Sequence, residues 1–95
     1  MTITKRVTFI AKPQSIEKMK ELLSAMVKPS KSEEGCMFYE IFQYKNQPEK
    51  FIAVETWRDE RALNGHKHSE HYKIYKSSYE SYCAKKYTDE LEVLG

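Results

Sequence analysis

Apolar positions along the chain repeat with two periods, one of two residues and one near 3.6, and their order sketches a fold. The first segment, Ile3 to Ala11, is rich in β-branched residues, with Val7, Phe9 and Ala11 on one face and Thr8 and Ile10 on the other. Such alternation predicts a strand, which Pro13 ends. Ser15 is placed to cap a helix, and Glu17 suits the positive end of its dipole. Ile16, Met19, Leu22, Leu23, Met26 and Val27 recur at helical spacing, and Pro29 is expected to end or kink the helix. After the polar link from Ser30 to Gly35, Cys36 to Tyr44 predicts a second strand. Phe38, Phe42 and Tyr44 share one of its faces, and Met37, Tyr39 and Ile41 the other.

Lys45 to Glu49 has the length of a hairpin loop, and Phe51 to Trp57 follows as a third strand. It sets Phe51, Ala53 and Trp57 against Ile52 and Val54. Asp59 can cap a short helix running through Leu63, with Gly65 as its stop. Ser69, followed by Glu70, can cap a second helix to about Cys83. Tyr72, Tyr75, Tyr79 and Tyr82 form a stripe along it, and Lys86 to Leu94 predicts a last strand. The resulting order, β-α-β-β-α-β, is that of an α+β ferredoxin-like sandwich formed by a single domain over residues 1–95. Strands two and three are apolar on both faces, which one helical layer cannot cover. A homodimer with two sheets face to face is the simplest arrangement that covers both.

Composition narrows the function classes. Sixteen Lys and Arg nearly balance fourteen Asp and Glu, for a net charge of +2, and they are scattered. No nucleic-acid partner is expected from that distribution. No apolar run is long enough for a membrane helix, and Met1 to Arg6 has no apolar core of a signal peptide. Cys36 and Cys83 have no paired spacing, so neither a disulfide scaffold nor a zinc site is expected. A soluble cytoplasmic protein follows as the expectation, with aromatic residues at 13% suited to an interface or an aromatic-lined pocket.

Three histidines, His66, His68 and His71, lie close together. His66 and His71 are expected to face inward and His68 to lie at the surface or to cap. Their spacings are not those of paired ligands on one helix face, so no metal site is expected. Glu40 and Glu55, on neighbouring strands, are either exposed at strand edges or buried carboxylates suited to acid–base work. No nucleophile elbow, phosphate loop or dinucleotide-binding glycine pattern is present.

Phe51 to Trp57, followed by Asp59, Ala62-Leu63, His66, Ser69 and His71, resembles the antibiotic biosynthesis monooxygenase family. Its pattern there is an apolar strand ending in Glu-x-Trp, then Asp, Ala-Leu, His, Ser and His. Met26 to Ser30 and Glu34-Gly35-Cys36 are also similar to the family, and the likeness runs from Arg6 to about Val93. The resemblance implies a dimeric α+β barrel with a pocket between sheet and helices. It also implies a cofactor-free monooxygenase acting on a small aromatic, quinol-type molecule and O2. His66 would be the catalytic base. Trp57, His71, Tyr72 and Tyr75, with Phe38 and Tyr44 from the sheet, would hold the substrate. Haem-degrading relatives carry an axial His at a position that falls near Lys76 here, so no haem is expected. Two alternatives stay open: isomerisation of a phosphorylated dione from quorum-signal breakdown, for which the basic stretch from His66 to Lys73 could hold phosphate, and a non-catalytic dimer that binds a small ligand.

Overall fold

The computed structural model describes residues 1–95. Its strands are β1 (Ile3–Ala11), β2 (Cys36–Tyr44), β3 (Gln47–Trp57) and β4 (Cys83–Leu91). The helices are α1 (Ile16–Ser24), α2 (Val27–Lys31), α3 (Glu60–Lys67) and α4 (Glu70–Tyr82). The strands form one antiparallel sheet in the order β2-β3-β1-β4, the ferredoxin-like arrangement. No helix is long and apolar enough to cross a membrane.

Side-chain alternation decides which sheet face packs on the helices. Register places Phe9 opposite Phe51, Val7 opposite Ala53, Lys5 opposite Glu55 and Ile3 opposite Trp57. On β2, Tyr39 pairs with Glu55 and Ile41 with Ala53. These pairs point to the helices, where Met19 and Leu23 of α1, Leu63 of α3 and Tyr75 of α4 meet Phe9, Phe51 and Trp57 in the core. The other face carries Phe42, Tyr87 and Leu91, all exposed.

Four sequence-based boundaries shift, each for a local reason. The first helix is split by a turn at Ala25–Met26, and Pro29 lies inside α2. There it sits in the first turn, where a backbone N–H has no intrahelical partner to lose. The hairpin loop shrinks to Lys45–Asn46, because β3 begins at Gln47 and Pro48 falls where the register with β2 slips. Helix α3 continues through Gly65 to Lys67, since a glycine weakens a helix without forbidding it. Strand β4 starts at Cys83, directly after α4, and ends at Leu91.

Gly35 does need to be glycine. Its φ is +88°, and an added Cβ would lie 2.5 Å from the Cβ of Ala62. Its carbonyl accepts from Arg58 N–H at 2.8 Å, which ties the turn before β2 to the start of α3. That tie carries Glu33 to the side of α3 and α4.

Candidate active site

The α3–α4 junction builds the centre of the site. Asp59 caps α3 by accepting from Ala62 N–H at 2.8 Å. Ser69 caps α4 by accepting from Tyr72 N–H, and its hydroxyl donates to the His66 carbonyl at 2.6 Å. One side chain thus joins the end of α3 to the start of α4. Across this corner His66 and His71 converge, although their spacing suits no single helix face.

They converge on Glu33. Its Oε2 lies 2.6 Å from His66 Nδ1 and 2.7 Å from His71 Nε2. A carboxylate oxygen accepting from both rings places the protons on His66 Nδ1 and His71 Nε2, a tautomer assignment that follows from the hydrogen bonds. In the neutral ring, His66 Nε2 then carries a lone pair. The His66 side chain is 2% exposed, against 17% for Glu33 and 20% for His71. Trp57, fully buried, packs its indole 4.5 Å from the imidazole, and the Tyr72 ring meets it edge-on at 5.2 Å.

His66 borders a cavity of about 150 Å³ between the sheet and the helices. Tyr39, Tyr72, Tyr75 and Phe9 supply aromatic walls, while Glu55, Lys5 and Lys86 bring charge. Burial pushes the hydroxyls of Tyr39, Tyr72 and Tyr75 above the ordinary phenol range. They stay protonated at neutral pH and can donate a hydrogen bond to a ligand in the cavity. Burial, helped by neighbouring Lys76, pulls the Lys86 ammonium below its usual value. Its Nζ stands 4.5 Å from the centre of the Tyr79 ring. Glu55 is buried, and its Oε1 accepts from Trp57 Nε1 at 2.7 Å.

The site residues expected from the sequence divide into three groups. His66, Tyr72 and Tyr75 line the cavity. Trp57 and His71 do not: Trp57 braces the His66 ring, and His71 shares Glu33 with it. Phe38 and Tyr44 require a correction. They are 44% and 39% exposed, and strand alternation turns them to the face away from the helices, so Tyr39 is the β2 side chain at the cavity. His68 is a surface residue whose Nδ1 donates to the Asn64 carbonyl. Of the paired strand carboxylates, Glu55 is the buried one, and Glu40 pairs with Lys31 at 2.7 Å in the open. The sequence reading passed over Glu33, Tyr39 and Lys86. The inward parity shared by Tyr39 and Ile41 could have found Tyr39, whereas no periodic signal marks Glu33.

This arrangement can take a proton from a cavity ligand. A buried imidazole, oriented at Nδ1 by a carboxylate, borders an aromatic chamber, and a neutral ring has a second nitrogen able to accept.

Comparison with known proteins agrees with the fold. The family described as Antibiotic biosynthesis monooxygenase matches residues 2–77. The Mycobacterium tuberculosis protein named Putative monooxygenase Rv0793 is 30% identical over 69 residues, spanning 73% of this chain and 67% of its own. Putative monooxygenase YcnE of Bacillus subtilis is 30% identical over 61 residues, 64% of each chain. Among solved structures, PA3566 from Pseudomonas aeruginosa superposes with a TM-score of 0.94 at 31% identity, covering 99% of this chain and 95% of that one.

Proposed function

The chain belongs to the antibiotic biosynthesis monooxygenase family, and from that premise we propose that it is an oxidoreductase that oxidises a one-ring, quinol-type aromatic with O2, without a metal or flavin taking part. The observation that carries this reading is His66, held at Nδ1 by Glu33 and bordering an aromatic-walled cavity. A cavity of about 150 Å³ is the size that holds a single benzene-like ring in a protein interior. Fused-ring quinols are therefore poor candidates.

In the proposed reaction the quinol enters with a hydroxyl toward His66 Nε2. The imidazole takes that proton, and the Glu33 carboxylate stabilises the resulting imidazolium across the 2.6 Å contact. Tyr72 and Tyr75 hold the substrate oxygens as donors, and the apolar walls keep water from the electron-rich anion. The anion reduces O2. One oxygen atom enters the ring, the other leaves as water, and the product is a hydroxylated quinone. The quinol supplies every electron, so no external reductant is needed. Oxygen uptake with hydroquinones tests this: one O2 should disappear per quinol, and activity should fall as a second and third ring are added. Turnover of fused-ring quinols alone would refute the size argument. Lys5, Lys67 and Lys86 at the cavity also suit the isomerase alternative, since ammonium groups attract phosphate. Conversion of a phosphorylated dione without oxygen consumption would favour it.

The same proposal includes a homodimer. Phe38, Phe42, Tyr44 and Tyr87 are exposed on the sheet face opposite the cavity, and a second copy's sheet is the cover assigned to them. Light scattering is expected to give about twice 11.3 kDa, and a well-folded monomer would contradict it.

A further inference from the structure

We propose that Glu33, His66 and His71 also form a binding site for a divalent cation of the zinc type, and that its occupancy switches off the basic nitrogen of His66. The second half rests on the reading of His66 as a base; the first does not.

The donor atoms are Glu33 Oε2, His66 Nδ1 and His71 Nε2, all within 4.8 Å of one another. Two imidazoles and one carboxylate form a donor set that zinc accepts while keeping a further position for water. His66 anchors the buried side, and the partly exposed Glu33 and His71 open the other to solvent. Ser69 Oγ, 3.2 Å from His71 Nε2, adds a nearby oxygen. Donors placed tetrahedrally about zinc stand about 3.4 Å apart. The two oxygen–nitrogen distances here are 2.6 and 2.7 Å, so the carboxylate must move back from both rings for the ion to enter. Glu33 lies on the turn between α2 and β2, outside both elements, and its side chain is 17% exposed.

The consequence for His66 follows from proton accounting. A neutral imidazole carries one N–H. Coordination through Nδ1 moves that proton to Nε2, and His71 likewise moves its proton from Nε2 to Nδ1. No proton is released, and Glu33 exchanges two hydrogen bonds for the cation. His66 Nε2 then presents an N–H to the cavity instead of a lone pair. The site is thus inhibitory: zinc on the outer side of the ring blocks proton acceptance on the inner side.

The test uses tag-free, chelator-treated protein and zinc chloride alone. Calorimetry is expected to show one zinc per chain bound in the micromolar range. Glu33→Gln and His71→Ala should each weaken binding by more than about tenfold, while His68→Ala leaves it unchanged. Binding that is only millimolar, or that survives both substitutions, would overturn the site. Nitrogen-15 spectra of the wild-type chain read the switch: the His66 proton should move from Nδ1 to Nε2 as zinc is added. Zinc bound with that proton still on Nδ1 would overturn the switch. Neither readout needs turnover, so a failure of the quinol reaction is seen separately.

Discussion

Replacing His66 with alanine is expected to lower quinol-dependent oxygen uptake, per folded molecule, by about 10²–10⁴, the range for losing a positioned general base. Stability should also fall, because the imidazole is 2% exposed and occupies the space between Trp57 and Tyr72. A cost of roughly 1–3 kcal/mol is expected from the lost packing and hydrogen bond. Activity must therefore be normalised to the folded fraction, measured by circular dichroism on the same sample. His66→Gln, which keeps more of the volume and lacks the basic nitrogen, should lose as much turnover with a smaller stability loss. Partial recovery of His66→Ala in added imidazole would identify the missing function as proton acceptance. Turnover per folded molecule equal to that of the parent would reduce His66 to a core residue.

The largest stability effect is expected at Trp57. Its side chain is fully buried against His66, and its Nε1–H is the hydrogen-bond donor to the buried Glu55 carboxylate. Trp57→Ala combines a large core truncation, about 3–5 kcal/mol, with the exposure of an unpartnered buried carboxylate. Domains of this size hold only about 5–15 kcal/mol in total, so the variant is expected to be largely unfolded in dilute buffer. Trp57→Phe isolates the polar part: it keeps an aromatic ring and removes the donor, at an expected cost of about 1.5–3 kcal/mol in urea unfolding. Adding Glu55→Gln to Trp57→Phe should recover part of that loss, because the group left without its donor is then neutral. A Trp57→Phe chain as stable as the parent would show that the bond contributes nothing net.

The same residues show how far the sequence could be read. Element order was legible because β-branched and aromatic runs of strand length alternate with segments of helical spacing, and Asp59 and Ser69 announce their helices. The orientation of β2 was harder. Both of its faces are apolar, so hydrophobicity alone could not say whether Phe38 and Tyr44 or Tyr39 and Ile41 meet the helices. Pairing with β3 decides it, since Tyr39 lies opposite Glu55 and Ile41 opposite Ala53. His66 stood out as a histidine beside an aromatic pattern, but its partner did not. Glu33 lies in a polar turn, and its role depends on the positive φ of Gly35 and on the bond from Arg58 to the Gly35 carbonyl. Lys86 was displaced from view for another reason. No glycine or proline separates α4 from β4, so the start of the strand, and with it the inward face carrying Lys86, left no mark.

The central claim is that His66 offers an unprotonated Nε2 to a one-ring quinol. Two-bond nitrogen–proton spectra of the metal-free protein under argon, before and after adding hydroquinone, read that atom directly. The expected result is a proton on Nδ1, an unprotonated Nε2, and an Nε2 resonance that moves as hydroquinone is added. A proton already on Nε2, or an Nε2 resonance indifferent to saturating hydroquinone, would contradict the account.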